Sequence, residues 1–86
     1  MTFRLRSDEL NWRQIDDEVV VLDGRSANYL AINGAGAHLW PALVEGATLE
    51  QLADLLVKAY AIDRARATAD ANGFVAALDE QGLMAA

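Results

Sequence analysis

The side chains of this 86-residue sequence that could do chemistry are few and do not form a catalytic set. The single histidine, His38, has no second histidine or cysteine with which to bind a metal ion or activate a nucleophile. Paired carboxylates can do acid–base chemistry, but Asp16, Asp17 and Glu18 directly precede a strand-like run, where adjacent acids usually form a solvated turn. The string Gly34–Gly36 lacks the second half of a dinucleotide-binding fingerprint. The sequence therefore predicts a protein that is not an enzyme and that holds no metal and no cofactor.

The amino-acid composition disfavours nucleic acids and membranes as binding partners. Thirteen acidic residues against seven basic ones give a net charge of −6, which disfavours nucleic acid because phosphate backbones are held by clustered Lys and Arg. No apolar run approaches the roughly 20 residues of a membrane-spanning helix, and the first residues lack the apolar segment of an export signal. The absence of cysteine rules out a disulfide framework. These properties predict one cytoplasmic domain over residues 1–86 that binds neither nucleic acid nor membranes.

The hydrophobic pattern of the first third is typical of strands. Phe3 and Leu5 alternate with arginines, which predicts a strand with one buried face. The stretch 10–15 is irregular in pattern, whereas Glu18–Asp23 is apolar on both faces and predicts a central strand. A turn then leads to Asn28–Ile32, which is expected to return as the second arm of a hairpin in a small antiparallel sheet.

After this hairpin the hydrophobic period changes to that of helices. Asn33 is a candidate N-cap for the first helix, and Pro41 predicts a bend or a short helix because proline disrupts helix interiors. The capping-box pattern of Thr48–Gln51 begins a second helix, and Asp63 can cap a third. The element order is thus strands followed by three helices, an α+β class.

The aromatic residues divide into core candidates and one open case. Trp12, Trp40 and Tyr60 are predicted to lie in the core, Trp40 because it falls on the apolar side of the first helix. Tyr29 is compatible either with the core or with the wall of a groove.

The order and spacing of several short strings make the sequence similar to the PqqD-like proteins, the precursor-peptide recognition elements of ribosomal natural-product pathways. The matching strings are Val20–Asp23, Tyr29–Asn33, Gly36 to Trp40, Glu45 to Leu52, Tyr60–Asp63 and Leu78 to Leu83. The resemblance covers about residues 3 to 84. The opening Phe3–Arg6 and the Tyr29–Asn33 string look most like the stand-alone leader-binding proteins of lasso-peptide pathways. The pyrroloquinoline-quinone pathway member usually has Lys-Leu-Asn where this sequence has Ala31, Ile32 and Asn33.

The resemblance implies a winged helix-turn-helix-like fold, with a three-stranded antiparallel sheet followed by three helices. It implies that the chain binds the leader of a precursor peptide as an added strand, between the third strand and the third helix, and presents it to a separate protease and then a cyclase. Other natural-product pathways, including the pyrroloquinoline-quinone type, and a winged-helix DNA-binding protein are the alternatives. The candidate peptide-binding residues are Asn28, Tyr29, Leu30, Ala31, Ile32, Arg66, Asp70, Gly73, Phe74 and Ala77.

The physical properties of these segments agree with strand addition. Asn28–Ile32 contains no proline and no charge to protect a sheet edge from pairing. On the third helix, a strip of small and charged residues flanks the buried stripe, and its glycine, Gly73, costs about 1 kcal/mol relative to alanine. Such a strip allows another backbone to approach closely, which predicts either a peptide groove or close helix packing. Arg64 and Arg66 lie in a first turn, where the helix dipole disfavours cations, and are candidate anchors for acidic leader residues.

Overall fold

The computed structural model describes residues 1–85, so Ala86, the last residue of the predicted domain, lies outside the described residues. Along this part of the chain the elements are β1 (Thr2–Phe3), β2 (Leu10–Ile15), β3 (Glu18–Asp23), β4 (Asn28–Asn33), α1 (Ala35–Glu45), β5 (Ala47–Thr48), α2 (Leu49–Tyr60) and α3 (Arg64–Glu80). None of these helices is long and apolar enough to cross a lipid bilayer.

The β-branched strand β3 is the centre of the sheet, as its apolar pattern predicts. Strands β2, β3 and β4 form an antiparallel sheet in that order, and β3 places Val19 and Val21 in the core with no exposed surface. The register pairs Val21 with Trp12 on one side and with Leu30 on the other. The three-stranded antiparallel sheet and the three helices that follow it confirm the predicted α+β fold class.

The N-terminal segment does not belong to this sheet. Residues Thr2 and Phe3 pair instead with Thr48 and Ala47, which form a separate two-stranded sheet with them. The third strand of the main sheet is β2. Its sequence pattern is irregular because five of its six side chains are exposed and give no alternating signal. The expected sheet is therefore present, but its first strand lies later in the chain than the Phe3 and Leu5 alternation indicates.

Local capping signals start two of the three helices. The side chains and backbone of Thr48 and Gln51 form the reciprocal capping box of α2. At the start of α3, the Asp63 carboxylate accepts a hydrogen bond from the backbone N–H of Arg66. The prediction for α1 was wrong, because Asn33 ends β4 and Gly34 is the N-cap, without a side-chain cap. Helix α1 continues through Pro41 for 11 residues and is not ended there.

The core lies between one face of the sheet and the three helices. Trp40 is its largest fully buried side chain, which confirms the core assignment for this residue. Trp12 stands edge-on to Trp40 with ring centroids 6.2 Å apart, but it is 40% exposed and lies at the margin. Tyr60, also predicted as core, is 43% exposed at the end of α2. An apolar residue inside a helix is more reliably buried than the last residue of the helix. Tyr60 is exposed because the end of α2 projects beyond the packed layer.

A buried ion pair ties the two chain ends to the β3–β4 hairpin. The Arg6 guanidinium donates hydrogen bonds to the Asp23 carboxylate and to the Gly82 carbonyl, and both side chains of the pair are almost fully buried. The same carboxylate accepts hydrogen bonds from the Ser26 hydroxyl and the backbone N–H of Arg25. The hydrogen bond from Arg6 lowers the pKa of Asp23 from its ordinary 3.8 to about 2.

Because of this ion pair, the stability of the fold depends on pH. Because the pKa of Asp23 is lower in the folded chain than in the unfolded one, its stabilising contribution is present above about pH 4 and is lost as the pH falls through about 2. We expect Asp23→Asn to lower the melting temperature at pH 7 and to flatten its decline between pH 4 and 2, measured by circular dichroism. Asp8→Asn, which removes an exposed pair with Arg25, is the control and should change little. An equally steep decline in wild type and Asp23→Asn would contradict the prediction.

Candidate functional site

Strand β4 is an edge of the sheet. Among the described residues it pairs with β3 only, so one row of its backbone N–H and C=O groups has no strand partner. Its sequence, from Asn28 to Asn33, contains neither proline nor a charged residue. Natural proteins usually protect such an edge by charge, proline or a covering segment. The backbone of β4 is therefore suited to pairing with an extended peptide.

The side chains of β4 alternate between two environments. Leu30 and Ile32 are half-buried and pack against the core, whereas Tyr29 and Ala31 are exposed on the opposite face of the sheet. Tyr29 is 68% exposed, so it lies neither in the core nor toward α3. Of the five β4 residues predicted to bind peptide, Leu30 and Ile32 have side chains on the helix side, and Asn28 shares this side at the far, exposed end of the strand. Tyr29 and Ala31 can take part through their backbone.

Strand β4 and helix α3 meet at a glycine of α1. A Cβ atom placed on Gly36 would lie 2.7 Å from Cε1 of Phe74 and 2.9 Å from Cγ2 of Ile32. Any larger residue at this position would push the two side chains apart, since real Cβ contacts are essentially never this short. The structure thus brings together Ile32 and Phe74, two site residues that are 42 positions apart in the sequence.

Two further predicted residues line a cleft beside this contact. Arg66 and Asp70 of α3 form one wall of a cleft of about 380 Å³, which opens where Gly34 follows β4. Its remaining walls are Gly34, Ala35, Leu56, Tyr60 and Ile62. We call this the Arg66 cleft. The edge of β4 together with Phe74 and the Arg66 cleft is called the β4–α3 groove.

Gly73 and Ala77 continue the exposed strip of α3 that begins with Arg66 and Asp70. Residues three or four positions apart share one side of a helix, and all four are exposed. A Cβ atom on Gly73 would meet nothing within 4 Å. Of the two interpretations of this glycine, close packing against another helix of residues 1–85 is therefore wrong, and the space beside it is open.

The two arginines of the first turn of α3 differ in their surroundings. Arg64 donates hydrogen bonds to the Asp54 carboxylate and to the Glu50 carbonyl on α2, so it joins the two helices. Arg66 lies 3.7 Å from the Asp70 carboxylate in an exposed pair one turn along the helix. An exposed pair of this kind contributes little to stability and can be exchanged for another acid. Arg66 is therefore the better candidate for contacting an acidic group on a ligand.

Several residues of the groove could not be identified from their pattern. The sequence offers Gly34 and Gly36 as half of a phosphate-binding loop and Gly36 as part of a string typical of the PqqD-like proteins, and it predicts Tyr60 to lie in the core. The signal that was present is the position of two glycines directly after an edge strand, because glycine permits close approach of another backbone. The contribution of Leu56 and Ile62 depends on how α2 turns into α3 and has no local signal.

Residues 18–84 match the family model described as coenzyme PQQ synthesis protein D (PqqD). The chain belongs to the PqqD family, which confirms the resemblance inferred from its short strings. A comparison with curated proteins finds no match.

Two solved structures are similar over nearly the whole chain. One is described as TbiB1 in complex with the TbiA(beta) leader peptide; it has a TM-score of 0.86, is 31% identical, and the match covers 94% of this chain and 93% of that one. The other is lasso peptide synthetase B1 complexed with the leader peptide, with a TM-score of 0.84, 33% identity and 98% coverage of both chains. Each of these structures therefore contains a leader peptide bound to a similar fold.

Proposed function

We propose that this chain is one leader-binding domain over residues 1–86, which captures the leader segment of a ribosomally made precursor peptide in a lasso-peptide pathway. The observation that carries the proposal is the unprotected edge of β4 beside Phe74 and the Arg66 cleft. A peptide strand added to β4 has its backbone satisfied by the sheet edge, while its side chains on the helix side reach α3. Support comes from the two similar structures that hold leader peptides.

The chain acts by binding and does no chemistry itself. Its one histidine, His38, is exposed and stands edge-on to Tyr60, with ring centroids 5.4 Å apart. Among residues 1–85 no three His, Cys, Asp or Glu side chains are close enough to hold a metal ion. Holding the leader raises the effective concentration of the attached core peptide near a separate enzyme. We propose that the chain works in this way in the cytoplasm and without a cofactor.

A separate leader protease, followed by a cyclase, is the proposed recipient of the bound peptide. The outer face of the sheet, opposite the core, carries an exposed apolar patch. Its members are Ile15, Val20, Leu22, Tyr29 and Ala31, and we call it the outer sheet patch. Exposed apolar patches commonly mark interaction sites. A leader strand paired with β4 extends the sheet, so alternate side chains of the leader lie on the same face as this patch. A protease that docks there contacts the chain and its bound leader together.

The DNA-binding alternative has less support from the charges of α3. Arg64 is engaged by Asp54, and Arg66 is next to Asp70. A recognition helix needs basic groups that are available to phosphates. The net charge of −6 acts in the same direction.

Strand addition makes a specific prediction for amide hydrogen exchange. In an edge strand, alternate residues direct their N–H groups away from the sheet. When the leader encoded with the chain's own precursor is added, we expect exchange to slow at alternate residues of Asn28–Asn33 by at least about tenfold, consistent with hydrogen bonds that open only when the peptide dissociates. The measurement is residue-resolved exchange by nuclear magnetic resonance.

The amide of Gly24 provides the internal control for this experiment. It already donates a hydrogen bond to the Glu9 carbonyl in the turn before β4, so its exchange should not change. Protection confined to α2 would show that the site is misplaced, and protection of every β4 residue equally would argue for general tightening of the fold instead of an added strand.

A further inference from the structure

Phe74 lies at the bottom of the β4–α3 groove. On α3 it follows the buried Ala71 by three positions and the exposed Asp70 by four, so it stands at the boundary between the buried stripe and the exposed strip. Its side chain is half-buried, and the end of its ring reaches Gly36 of α1 beside Ile32 of β4. The ring therefore closes the space between β4 and α3 on the side of the core.

The missing side chain of Gly36 allows the ring to lie this deep. A Cβ atom on Gly36 would be 2.7 Å from Cε1 and 3.1 Å from Cζ of Phe74. Ordinary van der Waals contact begins at 3.4 Å, so an alanine would displace the ring by about 0.7 Å. The backbone does not require glycine here, because Gly36 lies within α1 and, unlike Gly34, has no positive φ. What the glycine provides is space.

A displaced ring has room to move only outward, into the groove. Helix α1 packs against the sheet beneath the ring. Ile32 is held by its ladder pairing with Val19, and its β-branched side chain has little freedom at χ1. On the outer side, the space beside Gly73 is open. A raised ring makes the groove shallower for any side chain of a bound peptide that points toward α3.

We infer that Gly36 is a positioning residue that sets the depth of the β4–α3 groove. Acting through Phe74, it determines the size of the apolar side chain that the groove accepts from a bound peptide. The inference rests on the proposed function, because it concerns a peptide paired with β4. A glycine needed for packing alone would instead affect stability and the affinity of all peptides equally, so the preference for side-chain size separates the two roles.

The test begins with a display library of random peptides, selected on the immobilised full chain as wild type and as Phe74→Leu. We expect the selected peptides to share a strand-forming segment with apolar residues at alternate positions. At one of these positions, Phe74→Leu should select larger residues, because leucine is shorter than phenylalanine and deepens the groove. This position identifies the peptide residue that lies over Phe74.

Copies of one selected peptide, with Ala, Val, Leu or Phe at that position, then report the size preference by fluorescence anisotropy. On wild type, the affinity should rise about fourfold from Val to Leu, as expected for burying one further methylene. On Gly36→Ala this rise should disappear, while the Val peptide binds as it does to wild type. On Gly36→Ala/Phe74→Leu the rise should return, because the shorter side chain leaves room for the added methyl group.

Leu43→Val is the control for a loss of stability within the same helix. Leu43 is fully buried toward the other end of α1 and does not line the Arg66 cleft, so this variant should keep the wild-type size preference. A changed preference on Leu43→Val would assign the effect to stability and overturn the inference.

Three other outcomes would also overturn it. They are a peptide selection that Phe74→Leu leaves unchanged, a Val-to-Leu rise that persists on Gly36→Ala, and an equal loss of affinity for all copies of the peptide. If Gly36→Ala does not fold, Phe74→Leu and the double variant decide, because identical size preferences in these two would contradict a role for Gly36. Selections that share no strand-forming segment would instead contradict the proposed function itself.

Discussion

Gly73→Leu is expected to weaken leader binding at least tenfold while keeping or raising the melting temperature. The loss of affinity follows from the position of Gly73 on the exposed strip with Arg66 and Asp70, where a leucine side chain would project toward the bound peptide. A tenfold loss corresponds to about 1.4 kcal/mol. The stability should not fall, because a Cβ atom at this position meets nothing within 4 Å and replacing glycine inside a helix favours folding by about 0.5–1 kcal/mol.

Two measurements on this variant test the two parts of the prediction. A thermal melt reports stability and a fluorescence-anisotropy titration with labelled leader reports affinity. Asn72→Leu is the matched control, because Asn72 is exposed in the middle of the same helix and lines a cleft on its other side, with the N-terminal segment. It should leave the affinity unchanged. A destabilised Gly73→Leu protein would contradict the open space beside Gly73, because overpacking costs about 1–3 kcal/mol. A stable one with unchanged affinity would place the groove elsewhere.

Leu22→Glu is expected to slow leader removal by the proposed separate protease at least tenfold, with the affinity for leader changed less than twofold. Leu22 is 47% exposed in the middle of the outer sheet patch, on β3 and not on the β4 edge that pairs with the peptide. A charge placed in a buried apolar interface loses its hydration without gaining a partner. Central apolar residues of an interface can carry more than 1 kcal/mol each, which is the size that a tenfold effect requires.

The same assay contains its own control in Leu55→Glu. Leu55 is 38% exposed on α2, away from the sheet. Leu55→Glu therefore introduces the same charge at a similar exposure outside the outer sheet patch. Its rate of leader removal should equal that of wild type. If leader removal is normal with Leu22→Glu, the protease docks on another surface. If Leu22→Glu slows leader removal and also loses leader binding, Leu22 acts on the fold of the sheet.

The features that the sequence determined by itself are those set within a few residues. The capping box of Thr48 and Gln51 and the cap at Asp63 depend on contacts three residues apart, so their side-chain types predict them directly. The central position of β3 follows from a run that is apolar on both faces. The sequence order of the short strings was sufficient to identify the PqqD family, because it reflects the whole fold and not one contact.

The tertiary structure decided the features that depend on distant segments. The pairing of Thr2 with Thr48 joins residues far apart in the chain, and neither has a local signal for the other. The short exposed strand β2 has no alternating pattern, since its regular form is imposed by hydrogen bonds to β3. Asn33 has a good capping side chain, but the ladder with Glu18 keeps it in the strand.

The site shows the same division between local and distant information. The sequence and the family resemblance predicted the edge strand and the third helix as its two sides. Only the packed structure shows that Ile32 and Phe74 meet at Gly36, that Tyr29 faces away from the groove, and that Gly34 and Tyr60 line the Arg66 cleft. These relations depend on the angle and depth at which α1 and α3 pack on the sheet. Those quantities are fixed by the sum of many apolar contacts, and no single residue pattern encodes them.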